Sequence, residues 1–572
     1  MRSCRAPDSV TDSRRPIWTL DAETDPFLKG REPRPFVWCV FDGQRYHVFR
    51  RIKPLIEWLS KQRVIVYAHN GGRFDYLARE CYCGDYPCRC VAPKSLVHYL
   101  EACSEITIIN GRLAKFSIGA CEFRDSINIL PVALDAFGEK MDIDYSIMER
   151  AVRDKPENWK RIIRYLKQDC LALHNAVTRY VEQFGLNLTQ AGGALKYWGK
   201  LTEQDPPRST REFYDTYSQY YYGGRVQCFA KGIIDTSFKV ADINSAYPFA
   251  MLDFHAFSTD DPAVFTGGGL RAVGVEPQVF YDVEGVSRGA FPWRNPDTGK
   301  LDFPNDDTRR LYHVTGWELK AALELHLFFD WNIVRAVKFR ENESFKGYIR
   351  HCYDERMKAK REGDKAGVIL WKLLMNSLYG KWGSHPSEYR EYRIYEAKFA
   401  PIIDDQPPDE FGRKETCAGR LGPWALGAKE LLATRQNFYN VATSASITGF
   451  VRAHLLRAMR SCSGVLYCDT DSIAARDVCR LPLSDALGDW KIEGHFKRAA
   501  IAGRKNYAFE HIEPVEEDGE IEYWKVRSKG SRLDAGQILQ VAQGKTIVWE
   551  PDTPTFSAFH ETRFVPRTIR LT

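Results

Sequence analysis

The chain alternates short apolar runs, rich in β-branched and aromatic residues, with longer stretches that repeat apolar positions at helical spacing. Four runs, at residues 17–20, 64–67, 238–243 and 464–467, have the length and composition of buried strands. Longer stretches, at residues 161–184 and around 371–383, have the period of helices. Carboxylates lie at or just after the end of each run, where a rigid strand can deliver a polar side chain to a cleft. The pattern predicts a mixed chain of strands and helices, with its chemistry at strand ends.

Three carboxylates near the middle of the chain are spaced to hold two divalent cations. Asp242 ends one apolar run, while Asp469 and Asp471 follow another. Because alternate residues of a strand face the same way, we expect Asp469 and Asp471 to converge. Hard oxygen ligands of this kind hold Mg²⁺ ions, which activate an attacking 3′ oxygen and neutralise a leaving pyrophosphate. The sequence therefore indicates a nucleotidyltransferase, and a surface hairpin with two solvated aspartates is the alternative.

The segment between these carboxylates is predicted to be a helix with two distinct faces. Residues at spacings of four, three and four share its polar face, and they are Lys372, Asn376, Tyr379 and Gly383. A separate apolar stripe, which would anchor the helix, consists of Leu370, Leu374 and Leu378. A cation, an amide, a ring and a glycine on one face suit a triphosphate, a base and a closely approaching duplex. An ordinary amphipathic helix with a solvated lysine is the alternative.

A second group of carboxylates occupies the first third of the chain. Asp21 and Glu23 follow the first apolar run, Asp75 follows the second, and Asp169 lies on the first predicted helix. Tyr165 precedes Asp169 by one helical turn and therefore shares its face. Four carboxylates can bind two metal ions, while Tyr165 can orient an attacking water. This group predicts a 3′–5′ exonuclease, and isolated surface charges are the alternative.

Several segments, in order along the chain, resemble motifs of family B DNA polymerases, and more narrowly of the protein-primed branch carried by small phages with linear genomes. The resemblance to motifs A, B and C lies, in that order, in DINSAYP at residues 242–248, KLLMNSLYGKWG at 372–383 and YCDTDSI at 467–473. The YxGG and KxY motifs are resembled by YYGG at residues 221–224 and KNY at 505–507. The resemblance spans about residue 21 to about residue 529. It implies a ribonuclease-H-like DEDD exonuclease domain, α/β in class, joined to an α+β right-hand polymerase of palm, fingers and thumb with two insertions.

The resemblance implies roles for residues of the polymerase half. Asp242, Asp469 and Asp471 would be catalytic, with Asp242 and Asp471 holding two Mg²⁺ or Mn²⁺ ions. Contacts with the incoming nucleotide are implied for Tyr247, Lys372, Asn376, Tyr379 and Lys360. Tyr247 would exclude a ribose 2′-hydroxyl. Contacts with DNA are implied for Tyr221, Gly223, Gly224, Thr448, Arg452, Lys505 and Tyr507. Val451 replaces a small residue of the family's Tx2AR pattern, which puts the contacts of Thr448 and Arg452 in doubt.

The first third of the chain resembles the family's Exo I, Exo II and Exo III motifs, at DAE, NGGRFD and YLKQD. The implied metal ligands are again Asp21, Glu23, Asp75 and Asp169, with two ions bound. Contacts with the single-stranded primer end are implied for Asn70, Phe74, Ser126 and Ile127, where Ile127 replaces the leucine of the family's SL motif. Lys140 matches a lysine that the family uses near the scissile phosphate.

The motifs divide the chain into predicted domains. These are an exonuclease domain at 1–190, the palm at 191–252 and 436–530, a first insertion at 253–340, fingers at 341–383, a second insertion at 384–435 and a thumb at 531–572. The first insertion is rich in Pro and Gly and too long for a simple loop. The resemblance implies that it docks a terminal protein and that the second insertion serves strand displacement. Surface decoration is the alternative for both.

Composition adds little to this picture. A net charge of +6 is mildly basic and fits local Lys/Arg clusters along a nucleic-acid channel. The sequence contains no apolar run of the length that a membrane span requires, so none is expected. The leader of 16 residues lacks the apolar centre of a secretory signal and is predicted to be a disordered extension. A monomer in the cytoplasm is expected.

Four of the 15 cysteines lie close together after Asp75, at Cys81, Cys83, Cys88 and Cys90. Two CxC pairs joined by a short turn could bind Zn²⁺, although CxxC is the more usual spacing. The alternative is a loop of reduced thiols. The resembled family does not call for this cluster, so the resemblance implies no role for it.

Together, these features predict a DNA-directed DNA polymerase that adds dNTPs to a DNA primer on a template, or to a terminal-protein hydroxyl at initiation, and proofreads in the same chain. A nucleic-acid-primed family B repair polymerase without terminal protein is the nearer alternative. A nuclease with a decayed polymerase half and a non-catalytic nucleic-acid binding protein are more distant ones. Intact carboxylates in both halves disfavour the last two.

Overall fold

The structure is a computed structural model that describes residues 15–81, 83, 89–90, 92–137, 143–206, 208–252, 255–272, 274–385, 390–432, 435–436, 438–517 and 520–572. Two predicted site residues, Cys88 and Lys140, lie outside the described residues. Helices and strands are numbered below along the described chain.

The elements of the N-terminal region begin with an apolar strand, as the sequence predicts. They are β1 (Ile17–Thr24), β2 (Pro35–Phe41), β3 (Tyr46–Phe49), α1 (Ile52–Leu59), β4 (Ile65–Ala68), β5 (Glu105–Ile109), β6 (Arg112–Ile118), β7 (Cys121–Asp125), α2 (Pro156–Phe184) and α3 (Gln190–Thr202). The two predicted strands and the predicted helix are confirmed. Helix α2 starts five residues earlier than its apolar repeat indicates, because a proline with a preset φ occupies its first turn.

The middle of the chain contains the first predicted insertion and the segment predicted as fingers. Its elements are β8 (Arg208–Ser209), α4 (Arg211–Tyr217), β9 (Val226–Cys228), β10 (Gly232–Ile243), α5 (Ala246–Leu252), β11 (His255–Phe257), β12 (Ala263–Thr266), β13 (Val279–Arg288), β14 (Trp293–Arg294), β15 (Leu301–Asp302), β16 (Asn305–Thr315), α6 (Gly316–Glu324), β17 (Phe328–Lys338), β18 (Glu341–Ser344), α7 (Lys346–Arg361) and α8 (Lys365–Trp382). The predicted helix around residues 371–383 is confirmed as α8, and α7 precedes it in the segment predicted as fingers. Asp364 accepts a hydrogen bond from Gly367 N at the start of α8, and Arg179 of α2 binds the same carboxylate.

The last third of the chain is mostly antiparallel. Its elements are β19 (Arg390–Glu396), α9 (Ala400–Ile403), β20 (Thr416–Leu421), β21 (Trp424–Glu430), β22 (Phe438–Tyr439), α10 (Val441–Ser461), β23 (Ser463–Asp469), β24 (Ser472–Asp477), β25 (Trp490–Gly503), β26 (Asn506–Glu517), β27 (Glu520–Ser528), α11 (Ala535–Ala542), β28 (Ile547–Trp549), β29 (Thr555–Ser557), β30 (His560–Arg563) and β31 (Arg567–Ile569). None of the helices in the described part of the chain combines the length and apolar character that a bilayer-spanning helix needs.

Ten strands form the N-terminal sheet, in the order β20-β21-β19-β5-β6-β7-β4-β1-β2-β3. The pairs β1–β4 and β4–β7 are parallel, and the strands on either side are antiparallel. Helix α2 packs on β1 and β2 through its apolar side, which includes Ile162, Leu166 and Cys170. Strand β2 is buried at all seven positions, so its sequence is a continuous apolar run. This sheet fixes the ends of β1 and β4, where predicted carboxylates lie.

Strands of the second predicted insertion belong to this same sheet. β19 pairs with β5 through Tyr392–Ile106 and Arg393–Glu105, and β21 and β20 follow it outward. The sequence placed these strands in a separate insertion, because pairing across nearly 300 residues leaves no local pattern. The insertion therefore covers what would otherwise be an open sheet edge.

A second sheet has seven strands in the order β27-β26-β25-β10-β24-β23-β9. β10 lies in its centre and is paired on both sides, with β24 and β25. Helix α10, buried along most of its length, packs against α5, α6 and α8. Strands of the first predicted insertion form a four-stranded sheet in the order β12-β17-β13-β16. The last helix, α11, packs on β25 and β26.

Candidate active sites

Two carboxylates meet at the end of the central strand of the seven-stranded sheet. Asp242 is the penultimate residue of β10 and pairs with Ser472 at the start of β24. The backbone N–H of Ile243 donates a hydrogen bond of 2.9 Å to the carbonyl oxygen of Asp471. Because β10 is held on both sides, the position of the Asp242 carboxylate is fixed by the sheet. The structure thus brings together Asp242 and Asp471, as the sequence predicted.

Contrary to the prediction, Asp471 does not share a strand with Asp469, although the charge of Asp469 acts on the Asp471 carboxylate. β23 ends at Asp469, and Asp471 lies in the tight turn before β24. Thr470 adopts a left-handed backbone with φ of +62°, which breaks the strand alternation on which the prediction rested. Asp469 instead accepts hydrogen bonds of 2.7 and 2.9 Å from Lys505 Nζ. The turn, not a strand, therefore positions Asp471.

The two facing carboxylates resist ionisation. Burial, with the charges of Asp471 and Glu493, raises the pKa of Asp242 to about 7, although Lys525 and Lys372 oppose this rise. Burial also raises the pKa of Asp471 to about 6. Carboxylates that are held close in a partly desolvated site are stabilised in their charged form by a cation. The geometry therefore fits Asp242 and Asp471 as ligands of divalent metal ions.

Glu493 is a carboxylate of this site that the sequence analysis missed. The pairing of β10 with β25 shifts between Val240–Gly494 and Ala241–Ile492, so Glu493 is the extra residue of a β-bulge. It raises the pKa of both Asp242 and Asp471 and binds Lys525 at 2.6 Å. A single Glu in an alternating strand gives no signal, because bulge positions are not visible in sequence.

Helix α8 presents the predicted polar face next to these carboxylates. The rings of Tyr379 and Tyr247 stack with centroids 4.1 Å apart and planes within 14°. Asn376 donates a hydrogen bond of 2.8 Å to the carbonyl oxygen of Lys372, whose side chain is exposed. Lys360 is exposed on the partner helix α7. The predicted apolar stripe is confirmed, because Leu370, Leu374 and Leu378 are all fully buried.

The predicted YYGG segment joins the end of α8 to the turn that carries Asp471. A Cβ on Gly383 would lie 2.6 Å from the ring of Tyr221, and a Cβ on Gly224 would lie 2.6 Å from the Thr470 side chain. Gly223 has open space around its Cα. Glycine is therefore required at two of these positions by close packing. The structure gives Tyr221 and Gly224 a supporting role at the site.

Two predicted DNA contacts on α10, Thr448 and Arg452, are buried. Arg452 donates to Glu318 Oε1 at 2.7 Å and to the carbonyl oxygens of Tyr222 and Gly223 at 2.6 and 3.0 Å. Thr448 donates to a carbonyl oxygen of its own helix. With both residues 3% exposed or less, direct contact with DNA is not possible in this conformation. Arg452 holds the YYGG segment in place instead.

Two residues of the predicted KNY segment have different surroundings: Lys505 lies at the polymerase site, and Tyr507 lies in the core. Lys505 has a left-handed backbone, and its N–H donates to Tyr467 Oη at 2.9 Å while its ammonium group binds Asp469. The ring of Tyr507 is buried against Tyr467 and Phe509, with centroids 4.9 and 4.3 Å away. Only 9% of Tyr507 is exposed, so the predicted contact of this residue with DNA is restricted to a small part of its surface.

The second carboxylate group assembles on the N-terminal sheet. Asp21 and Glu23 share one face of β1, and one carboxylate oxygen from each lies within 4.8 Å of one from Asp169 on α2. Asp75 follows a short 3-10 turn after β4 and is buried. The charge of Asp75 raises the pKa of both Asp21 and Glu23. The predicted four-carboxylate group is thus brought together from three parts of the chain.

Burial raises the pKa of every member of this group, and repulsion between its members adds to the rise at Asp21 and Glu23. The pKa of Asp21 is well above its ordinary value because of burial and the charges of Asp75, Asp169 and Glu23. Burial raises the pKa of Glu23 to about 8, of Asp75 to about 7 and of Asp169 to about 6. Four buried carboxylates with raised pKa values form a donor set that fits two divalent cations.

Other predicted residues of this half have mixed placements. Tyr165 lies close enough to Asp169 to lower the pKa of that carboxyl, and its hydroxyl lies 3.2 Å from that of Tyr145, which the sequence analysis missed. Asn70 is exposed, with a φ of +62°, and its side-chain oxygen accepts a hydrogen bond from Arg112.

Two more predicted contacts with the primer end, Phe74 and Ile127, are half-buried, and Phe74 packs edge-on against Phe556 near the C-terminus. Ser126 is fully buried and donates to the carbonyl oxygen of Ala68. Its predicted contact with a primer strand is therefore not possible through the side chain.

A basic cleft of about 1520 Å³ runs between the N-terminal sheet and α8. It is lined by β5 and β6, by Ile127, by Asn376 and Tyr379 of α8 and by β19. Basic side chains outnumber acidic ones in its lining, and they are Arg15, Arg73, Arg112, Lys115, Lys381, Arg390, Arg393 and Arg435. The cleft thus connects the two halves of the molecule with a surface that suits phosphates.

Similar proteins agree with this arrangement. A family model described as DNA polymerase type B, organellar and viral, matches residues 118–406. The DNA-directed DNA polymerase of Enterobacteria phage PRD1 is 33% identical over 97% of this chain and 98% of its own length. A probable DNA polymerase of Agaricus bitorquis is 23% identical over 79% of this chain and 65% of its own length.

Among solved structures, the phi29 DNA polymerase complexed with primer-template DNA superposes with a TM-score of 0.70 at 19% identity, covering 97% of this chain and 100% of that one. This likeness confirms the predicted fold class, an exonuclease-type domain joined to a right-hand polymerase. The family model covers half of the chain, and the phage PRD1 relative is similar along almost all of it. The chain therefore belongs to the type B DNA polymerases of organelles and viruses.

Proposed function

We propose that this polymerase extends DNA at the site of Asp242 and Asp471 and removes mispaired 3′ ends at the site of Asp21, Glu23 and Asp169. The observation that carries the proposal is the presence of two separate carboxylate groups, on two different sheets, each with raised pKa values. Mg²⁺ or Mn²⁺ ions bound at either group would supply the charge that phosphoryl transfer or phosphodiester hydrolysis requires.

The side chains around the first group suit an incoming dNTP. The stacked rings of Tyr247 and Tyr379 offer a flat surface for a deoxyribose, and a 2′-hydroxyl would meet the Tyr247 ring. Lys372 is exposed and lies close enough to Asp242 to lower the pKa of that carboxyl. Its ammonium group can therefore reach a triphosphate bound at this site. At the second group, the Tyr165 hydroxyl is held beside Asp169 and can orient an attacking water.

The test compares single carboxylate changes on one labelled hairpin substrate that reports extension and degradation together. Asp471→Asn should abolish dNTP incorporation and leave 3′–5′ degradation largely intact, because the two sites use different ligands. The Asp21→Ala, Glu23→Ala double variant should do the opposite. Asp477→Asn, an exposed aspartate on the same hairpin as Asp471, is the matched control and should change neither activity. Loss of both activities in Asp471→Asn would contradict two independent sites.

We also propose that initiation uses a terminal protein, which the first insertion would dock. The hairpin of β14 and β15 lies beside the polymerase site, since Arg504, the neighbour of Lys505, binds Asp302 at 2.7 Å. The insertion's sheet also exposes large apolar side chains at Val264, Leu311, Phe329, Trp331 and Val334. An exposed apolar surface on this insertion supports a protein partner rather than a nucleic-acid one.

The second insertion supports strand displacement in this proposal, because β19 contributes Arg390 and Arg393 to the basic cleft. A narrow basic opening can pass one template strand and exclude the other. The exposed tip of the first insertion, residues 296–300, and the exposed loop of the second, residues 405–412, are the segments to shorten.

Shortening the first segment should weaken deoxynucleotidylation of the terminal protein more than extension of a DNA primer. Shortening the second should weaken copying through duplex on gapped template more than copying of open template. Each variant is the control for the other, since both lose an exposed loop, of five residues in the first and eight in the second. Equal losses in deoxynucleotidylation, in primer extension on open template and in copying through duplex would favour the alternative, a nucleic-acid-primed repair polymerase.

A further inference from the structure

We propose that Cys81, Cys83 and Cys90 bind one Zn²⁺ ion, at a site separate from both carboxylate groups. The Sγ atom of Cys81 lies 3.8 Å from that of Cys83 and 3.9 Å from that of Cys90, and all three sulfurs lie within 4.8 Å of one another. Neither the proposed polymerisation nor the proposed proofreading makes use of these thiols.

The separations between the sulfurs match tetrahedral thiolate coordination. With Zn–S bonds of about 2.3 Å and tetrahedral angles, neighbouring sulfurs lie about 3.8 Å apart. A disulfide would place two sulfurs about 2.0 Å apart, so Cys81 forms none with Cys83 or Cys90. A chance contact of two thiols would bring only one such pair together. Here one sulfur has this spacing to two others.

A backbone donor and partial burial surround the three sulfurs. The backbone N–H of Arg89 donates to Cys83 Sγ at 3.2 Å, the kind of hydrogen bond that orients and stabilises a metal-bound thiolate. Cys81 is 7% exposed, and Cys83 and Cys90 are half-buried, so the group is largely shielded from water. Soft sulfur ligands select Zn²⁺ over Mg²⁺, and the site would not compete with the carboxylates for their ions.

The position of the cluster indicates a structural role. Glu80 N donates to the carbonyl oxygen of Lys94 at 2.9 Å, which closes the base of the loop that carries the cysteines. Cys81 N donates to the carbonyl oxygen of Pro35 at the start of β2. An ion shared with Cys83 and Cys90 would tie the loop to this fixed point. The loop leaves the sheet shortly after Asp75, so the ion would also hold the end of the segment that carries this carboxylate.

The test measures metal in the full-length protein, purified under reducing conditions. We expect one zinc per chain by mass spectrometry of the metal content, and thiolate-to-metal charge-transfer absorption after replacement with Co²⁺. Cys83→Ser and Cys90→Ser should each lower zinc affinity at least about tenfold, since each removes one ligand. Cys479→Ser, which alters an exposed cysteine near the end of β24, is the matched control and should retain the zinc.

The half-buried cysteines are chosen because Cys81→Ser could disturb folding. Far-UV circular dichroism of the whole chain, measured together with primer extension, shows whether each variant is folded. As a measurement on the unchanged chain, a mercurial thiol reagent should release one zinc, and trypsin should then cleave faster at Arg89 and Lys94. Zinc below about a tenth of an equivalent in both purified and reconstituted protein would overturn the proposal, as would unchanged zinc in Cys83→Ser and Cys90→Ser.

Discussion

Glu23→Gln should stabilise the metal-free protein at neutral pH, although it removes a proposed metal ligand. Glu23 is 7% exposed, and burial together with the charges of Asp169 and Asp75 raises its pKa from the ordinary 4.5 to about 8. The folded state thus binds the proton more tightly than the unfolded chain does. The free energy of unfolding therefore falls as the pH rises from about 4.5 to about 8. Glutamine keeps the shape and has no charge to bury.

The magnitude follows from the difference in pKa. Each unit of pKa corresponds to about 1.36 kcal/mol, so ionised Glu23 costs up to about 5 kcal/mol above pH 8, and about 4 kcal/mol at pH 7.5. These values are upper limits, because Asp169 and Asp75 share the same repulsion and part of it remains after the change. We expect a gain of about 1–4 kcal/mol at pH 7.5 that disappears near pH 4.5.

Scanning calorimetry in EDTA at pH 5, 6 and 7.5 measures this effect on the full chain. The variant should unfold at a higher temperature than the unchanged protein at pH 7.5, with a smaller difference at pH 5. Added Mg²⁺ should stabilise the unchanged protein more than the variant. Glu57→Gln, on the exposed side of α1 in the same domain, is the matched control and should shift stability by less than about 0.5 kcal/mol. A lower unfolding temperature for Glu23→Gln at pH 7.5 would refute the burial argument.

Two further predictions concern the polymerase half. Tyr247→Val should raise ribonucleotide incorporation at least about tenfold relative to dNTP use, because it opens the space beside Tyr379 that a 2′-hydroxyl needs. Steady-state extension with each nucleotide measures this selectivity. Unchanged selectivity would assign the discrimination to another residue. Arg452→Met should lower stability by about 3–5 kcal/mol, since it leaves Glu318 charged and buried without its partner. Arg457→Met, on the exposed side of the same helix, should cost less than about 1 kcal/mol in the same melting experiment, and equal losses would contradict a buried ion pair.

The sequence by itself determined the elements that deliver most of the chemistry. The apolar runs around 17–20, 64–67, 238–243 and 464–467 are all strands, and the helical repeats are helices. These predictions hold because the strand and helix periods depend only on neighbouring residues, and a short apolar run with flanking polar turns most often forms a buried strand. The carboxylates at the ends of the runs followed from the same local pattern, since a strand end fixes where its next side chains can lie.

Tertiary structure alone decided which of the polar residues face a site and which support it. Arg452 and Ser126 carry motif positions that suggested contact with DNA, yet both are buried, because burial depends on what packs from distant parts of the chain. Asp471 is placed by a left-handed turn and Glu493 by a bulge, two backbone features that side-chain periodicity does not encode. The pairing of β19 with β5, and with it the basic cleft, depends on an edge contact between segments nearly 300 residues apart. Such contacts are selected by the whole fold, so no local pattern reveals them.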